Sequence, residues 1–592
     1  MNIYNELDRI VKYFLKSEFS LTLDKLEFQL TRKEFNGDIT LVIFPLAKFL
    51  KISLNDIGEK IGIYLEQSSD YIIKYNLVKG FLNLTVSDKY FIDELYRLNK
   101  VENYGHNESN VDSELIIVEF SSPNTNKPLH LGHIRNNLLG HSVSKILEAN
   151  GKKVIRTQII NDRGIHICKS MIAWKLFSNN ETPESSGIKG DQFVGKYYVK
   201  YNEVFKKQVN ELIDKGKSED EAIKSAPIFI SAKDLLRLWE SGDKSTIELW
   251  NKMNSWVYNG FEITYNNLGV FFDSLYYESD TYLLGKDLIK KGLSKKVFYE
   301  KEDGSIWIDL TDEGLDEKLL LRSDGTSVYI TQDLGTALKR KEDNPELKGM
   351  VYTVGNEQDY HFKVLFLILK KLGYNWHESL FHLSYGMVDL PDGKMKSREG
   401  NVIDADQLID EMELTAKKVS ESIGKVEGMS DIEKSNLYKI IGLGALKYHI
   451  LKVDPKKRIL FKPEDSVDFN GNTGPFIQYT YARIKSLLSK VENYNTEIDV
   501  LSKIDIREKN IVKHLLQYPE IIHQAGEFFS PALISNYIYD LVKYYNTFYQ
   551  NLSIVGTQDS SLKRFRVTLS KKVSQVIFSG CSLLGIDLPD RM

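Results

Sequence analysis

The segment from Leu115 to Ile160 constrains the fold more than any other part of the chain. Leu115–Phe120 is a short, apolar, β-branched run that reads as a buried strand. A polar loop follows, Ser121–Pro128. Leu131–Ala149 is helical in pattern, and Gly151 stands where a helix C-cap glycine is expected. Val154–Ile160 is a second strand. Strand, helix and strand within about 45 residues is the start of a parallel α/β sheet.

The loop between the first strand and the helix carries chemistry. It reads Glu119-Phe-Ser-Ser122-Pro123-Asn124-Thr-Asn-Lys127-Pro-Leu-His130-Leu-Gly132-His133. Two imidazoles three residues apart share one face of a first helical turn. The glycine between them lets a flat ring approach the backbone. Free amides at a helix N-terminus favour phosphate. Such a group suits a nucleotide attacked at its α-phosphate, with imidazole and lysine donors meeting the developing charge. A second candidate follows the last expected sheet strand. Gly393-Lys394-Met-Lys396-Ser-Arg398-Glu-Gly400 is a glycine-bounded basic loop able to close over a triphosphate.

Around these loops the pattern divides the chain. Residues 1 to about 110 read as a mixed unit: a helix over Asn5–Phe14, another over Ile57–Gln67, and a strand pair, Tyr71–Leu77 and Gly80–Val86. The polar stretch Asn103–Ser113 reads as a linker. A charged, helical insertion spans about 180–265. Two-residue hairpin turns are expected at Asp303-Gly304 and Asp324-Gly325. The expected order is then strand Val328–Thr331, a helix, strand Met350–Val354, helix Gln358–Leu372 and strand His382–Val388. From Asp404 onward the chain is helical.

Composition removes several classes. Cys168 and Cys581 are the two cysteines, which excludes a disulfide framework and a four-cysteine zinc site. No apolar run approaches the roughly 18–20 residues that span a bilayer. Met1–Phe14 carries Glu6 and Asp8 and does not read as a signal peptide. A soluble, cytoplasmic protein is expected. The net charge of −4 is an average: residues 451–592 hold a small basic excess and the rest a larger acidic one. An RNA would meet a face and not that average.

The two loops together resemble the signature sequences of class I aminoacyl-tRNA synthetases, and their flanks resemble the arginyl-tRNA synthetases in particular. Asn161-Asp162-Arg163-Gly164, Tyr329-Ile-Thr-Gln-Asp333-Leu-Gly335 and Gly355-Asn-Glu-Gln358-Asp-Tyr-His361-Phe resemble further motifs of that family. So do Gly471-Asn-Thr-Gly474-Pro-Phe-Ile-Gln478-Tyr479-Thr-Tyr-Ala-Arg483 and the closing Leu588-Pro-Asp-Arg-Met592. Two departures stand out. Arg163 occupies the position of the family's usual tryptophan, and the second signature reads Lys394-Met-Lys396-Ser-Arg398.

The resemblance implies a Rossmann-like parallel-sheet catalytic domain over 113–403, interrupted by the helical insertion. An N-terminal α+β tRNA-binding domain over 1–112 would precede it, and an all-helical stem and anticodon-binding domain over 404–592 would follow. The implied reaction joins L-arginine to tRNA(Arg) through arginyl-adenylate. ATP would be a substrate with Mg²⁺, no zinc would be used, and tRNA would be needed even for adenylate formation. Lys127, His130, Gly132, His133, Lys394 and Lys396 would form the catalytic set, with Lys396 favoured at the phosphates. Ser122, Pro123, Asn124, His130, Gly132, His133 and Lys396 would hold ATP. Glu119, Asn124, His130, Glu278, Tyr329, Asp333 and Gln358 would hold arginine.

The guanidinium is planar and always charged, so its pocket needs carboxylates placed to accept a fork. Glu278 and Asp333 are the candidates, although Asp333 also suits a helix N-cap after Val328–Thr331. For tRNA, the candidates are Gln478, Tyr479, Arg483, Arg564 and Arg566. They lie near the basic run Lys563, Arg564, Arg566, Lys571 and Lys572 and the tyrosines 537, 539, 544, 545 and 549. A monomer is expected. A cysteinyl relative would need cysteine-held zinc and a glutamyl relative a basic pocket. An inert tRNA-binding paralogue is favoured only by the degenerate second loop.

Overall fold

The computed structural model describes residues 3–32, 34–389, 403–422, 427–491 and 501–592. Lys394 and Lys396 lie outside them. Contacts gather the chain into two compact units, 105–486 with 518–542 and 576–592, and 1–104 with 487–517 and 543–575. The expected three consecutive segments therefore do not coincide with the packing units: the C-terminal helices divide between both.

The larger unit is built on five parallel strands. In chain order these are β1 (Leu115–Glu119), β2 (Lys153–Ile160), β3 (Ser274–Tyr277), β4 (Leu347–Gly355) and β5 (Leu380–Tyr385). Their order across the sheet is β5-β4-β1-β2-β3, and every adjacent pair is parallel. The chain runs outward from β1 through β2 and β3, then reverses to the other side. In such a sheet the crevice lies at the carboxyl ends of the strands where the order reverses. That point is between β1 and β4, where Glu119 stands opposite Tyr352.

Three helices frame the crevice: α1 (Leu131–Ala149), α2 (Tyr329–Asp343) and α3 (Asp359–Lys371). The first is buried on almost every side. Gly140 makes this possible, because a Cβ there would lie 2.2 Å from the Phe120 ring. Gly140→Ala is expected to destabilise the protein by about 1–3 kcal/mol through overpacking. A thermal melt unchanged within 1 °C would contradict that reading.

The expected strand Val328–Thr331 is instead the start of α2. Ile330, Leu334 and Ala337 are buried at helical spacing and Val328 is the extended residue before the helix. The β-branched trio imitated a strand, but the core takes one helical stripe. The two Asp-Gly turns are three-residue loops, closed by Lys301 N–H to Ser305 O and Arg322 N–H to Thr326 O. Gly304 and Gly325 sit at φ +81° and +77°, the left-handed position such loops require. The strand expected to reach Val388 stops at Tyr385, and Val388–Asp389 pairs separately with Ile459–Leu460. The insertion is helical, with Gly190–Asp214, Pro227–Glu240 and Lys244–Leu268 as its long members.

The smaller unit holds a four-stranded antiparallel sheet in the order Phe28–Leu30, Ile39–Val42, Phe81–Val86, Ile72–Val78. Asp38 ties it to the helix Ile506–Leu515, through Lys509 at 3.1 Å and Lys513. Among the described residues no helix is long and apolar enough to cross a membrane.

Candidate active site

The loop after β1 is pinned before it reaches the histidines. Asn136 of α1 accepts the Ser121 N–H at 2.6 Å, and Asn161 accepts the Thr125 N–H and donates to the Ser122 carbonyl. Pro123 is buried, while Ser122 and Asn124 are exposed. His130 is the N-cap of α1, so the two histidines do not both lie on helical backbone. Its Nδ1 accepts the Gly132 N–H at 3.1 Å, and the His133 Nδ1 accepts the His130 N–H at 3.1 Å. A Cβ on Gly132 would come within 3.0 Å of the His130 ring. The glycine thus makes room for the neighbouring imidazole itself.

This capping box fixes the chemistry of both rings. An Nδ1 that accepts a hydrogen bond leaves the proton of a neutral imidazole on Nε2. Burial, helped by Lys127, pushes His130 down to about 4. Burial also pushes His133 well below its ordinary value, with His130 and Lys127 adding to the effect. Both rings are therefore neutral Nε2–H donors at pH 7. Half-buried Lys127 has its own ammonium pushed down by burial.

The carboxylates sit farther along the crevice. Glu119, 8% exposed, forms an ion pair with Arg340. Asp333 stands one turn into α2, not at its cap, and lies 2.6 Å from His361 Nε2. Glu278 opens the short turn Glu278–Thr281. Its pKa is raised, mainly by burial, with Arg163 opposing and Asp162 and Asp333 adding to the rise. Two acids close enough to repel each other form a place for a cation with several donors.

Residues 98–461 match the family described as tRNA synthetases class I (R), catalytic domain, and 477–592 match the DALR anticodon binding domain. An arginine--tRNA ligase of Flavobacterium psychrophilum is 57% identical over the whole of both chains. One from Parabacteroides distasonis is 50% identical over 97% of this chain and 96% of its own. The chain belongs to the class I arginyl-tRNA synthetases. Among solved structures, the Thermus thermophilus arginyl-tRNA synthetase superposes with a TM-score of 0.81 over all of both chains at 22% identity. The Plasmodium falciparum arginyl-tRNA synthetase gives 0.74 over 100% of this chain and 99% of its own, at 21% identity. These last two show a shared fold.

In this synthetase Glu119 ends β1, His130 and His133 open α1, and Tyr329 and Asp333 lie in the first turns of α2. Tyr329 begins α2 and is 78% exposed, on the same face as Asp333 four residues on. Gln358 is exposed in the turn after β4. Arg163 stacks on an aromatic face: its guanidinium is 3.8 Å from the Tyr282 ring centre and 3.1 Å from Glu240.

The RNA candidates fare differently. Gln478 is fully buried and donates to the carbonyls of Ile440 and Asp587. Arg566, 8% exposed, is held by Glu508 at 2.6 Å and by the Ser553 carbonyl. Lys572 is buried against the Val101 carbonyl. These three are fixtures of the packing, a correction to their reading as an RNA-facing set. A buried amide or cation must satisfy its donors internally, and sequence alone does not distinguish it from one on a surface. Tyr479 and Arg483 remain half-buried, with the guanidinium 4.6 Å from the ring centre, and Arg564 is half-buried. Lys571, Tyr544 and Tyr549 are exposed.

Four positioning residues escaped the sequence reading. Arg135, wholly buried in α1, donates to the carbonyls of Gly386, Met387, Pro455 and Lys457 at 2.7–3.2 Å. It fastens the segment that leads into the second signature to the helix of the first. Asp162 accepts from the Ser279 amide and hydroxyl and from Tyr258, which holds the turn bearing Glu278. The other two are His361 and Arg340. Asp162 and His361 stand in quoted motifs without an assigned role, whereas Arg135 and Arg340 are single arginines in helices and give no signal.

Proposed function

We propose that this synthetase attaches L-arginine to tRNA(Arg) in two steps. In the first, the arginine carboxylate attacks the α-phosphorus of ATP and pyrophosphate leaves. In the second, a hydroxyl of the tRNA 3′-terminal ribose attacks the acyl carbon and AMP leaves. The observation that carries this reading is the pair of neutral Nε2–H donors where α1 leaves the switch point of the sheet. His130 and His133 meet the charge that grows on the phosphate in the transition state. Lys127 adds a cation there, and Lys394 and Lys396 act on the β- and γ-phosphates. Ser122, Pro123 and Asn124 form the wall against the nucleotide, with Gly132 leaving space beside it.

Asp333 and Glu278 take the guanidinium fork, with Tyr329 beside it. Glu119, Asn124, Gln358 and the backbone side of His130 take the amino acid's other polar groups. Mg²⁺ enters with the ATP phosphates and water. Residues 1–112 and 404–592 carry the tRNA, the latter through Tyr479, Arg483, Arg564 and the exposed tyrosines. The protein works as a cytoplasmic monomer.

Charging of total tRNA with labelled arginine beside the other amino acids tests this reading. Arginine alone is expected to accumulate on tRNA. ATP–pyrophosphate exchange is expected to need added tRNA, and full exchange without it would remove that dependence. Wild-type charging no higher than that of His133→Ala would favour an inert RNA-binding paralogue.

A further inference from the structure

Arg340 lies in the last turn of α2 and is 1% exposed. Its guanidinium forms an ion pair with Glu119 at the end of β1. It also lies 4.9 Å from the ring centre of Tyr276 in β3 and 5.8 Å from that of Tyr352 in β4. Tyr352 is the cross-strand neighbour of Glu119. Side chains from three strands thus converge on one cation carried by the helix.

Packing does not require this. An apolar side chain of similar volume would fill the space between two tyrosine rings without desolvating a charge. What the cation does is electrostatic. A carboxylate buried without an opposing charge is costly, and Arg340 supplies that charge and fixes the direction in which the carboxylate points. Both phenols nearby are pushed upward, chiefly by burial, and remain neutral beside the pair.

We propose that Arg340 is a positioning residue that holds the Glu119 carboxylate turned to receive the α-ammonium group of the amino-acid substrate. This rests on the reading that Glu119 contacts the amino acid. Oε2 goes to Arg340, and the remaining lone pairs stay available to the substrate. The helix that carries Arg340 also carries Tyr329 and Asp333 at its start. A single rigid element then sets the acid for the guanidinium directly and the acid for the ammonium through Arg340.

The test uses the full-length protein in tRNA charging, with 5-guanidinopentanoate as competitor. That compound keeps the guanidinium and the carboxylate of arginine and lacks the α-ammonium. The wild type is expected to prefer arginine over it by about 100-fold, the scale of one charge-assisted contact in a dry site. In Arg340→Met the preference should fall to about fivefold or less, while KM for ATP stays within about twofold. Arg340→Lys keeps the charge and loses the fork, so it should recover most of the preference.

An unchanged preference in a folded Arg340→Met overturns the proposal. So does a parallel rise of KM for arginine and ATP with the preference intact, which is the signature of general damage. Should the methionine variant fail to fold, Arg340→Lys decides: a preference as low as that of Glu119→Gln would overturn the role of the charge. Failure of the wild type to charge arginine would instead sink the reading beneath, and that is seen before any variant is made.

Discussion

Replacing Asp333 by alanine is expected to lower kcat/KM for arginine about 1,000-fold, some 4 kcal/mol of transition-state stabilisation. The guanidinium cannot shed its proton, so a lost carboxylate leaves buried donors unpaired. Glu278 cannot compensate. Its carboxyl is raised mainly by burial, with Arg163 opposing, and Asp162 still repels it in the variant, so it accepts a proton more readily than an ordinary acid. KM for ATP should stay within about twofold, because the contacts proposed for the nucleotide are at the histidines and not at Asp333. His361→Asn serves as the control. It removes the imidazole 2.6 Å from Asp333 and keeps the carboxylate, so a loss of only about tenfold is expected. Steady-state charging at varied arginine measures both, and a loss under tenfold in Asp333→Ala would exclude the residue from the guanidinium site.

His133→Ala is expected to slow adenylate formation about 100- to 1,000-fold in single-turnover experiments, with binding of ATP little changed. The ring's Nε2–H acts on charge that appears only in the transition state, so the loss belongs in the rate constant. His130 needs a finer test because it is also the helix cap. His130→Ala should lose about 1 kcal/mol of stability together with the rate, whereas His130→Asn should keep the cap and lose the rate. Equal rates in wild type and His130→Asn would leave the imidazole with a structural role alone. Acid gives a second check. The folded value of His130 is about 4 against 6.5, so the unfolded chain binds that proton first. Stability from this group is complete above about pH 6.5 and is lost as the pH falls towards 4. Neither ring should contribute an ionisation to the rate between pH 6.5 and 8.5.

The parts that were legible in the sequence share a cause. The strand Leu115–Glu119, the helix Leu131–Ala149 and the glycine after it are governed by periodicity and capping, which are local. The first signature is also local: cap, glycine and N3 histidine lie within four residues. Errors arose where packing chose between two local patterns. Val328–Thr331 has the composition of a strand, yet Ile330, Leu334 and Ala337 deliver a helical stripe to the core. Gln478 and Arg566 have the composition of RNA contacts, yet their donors are consumed by carbonyls and by Glu508.

By itself the sequence determined the chemistry on offer: two imidazoles at a helix start, a lysine before them, and acids suited to a guanidinium. It determined the parallel α/β class as well, because alternating strands and helices admit few other solutions. Only the tertiary structure decided which side of each imidazole faces the crevice. It also showed that Arg340 belongs to Glu119, although 221 positions separate them in the chain. It divided the C-terminal helices between two units. Those decisions rest on contacts between residues far apart in sequence, where burial makes each unpaired charge or donor costly and so selects its partner.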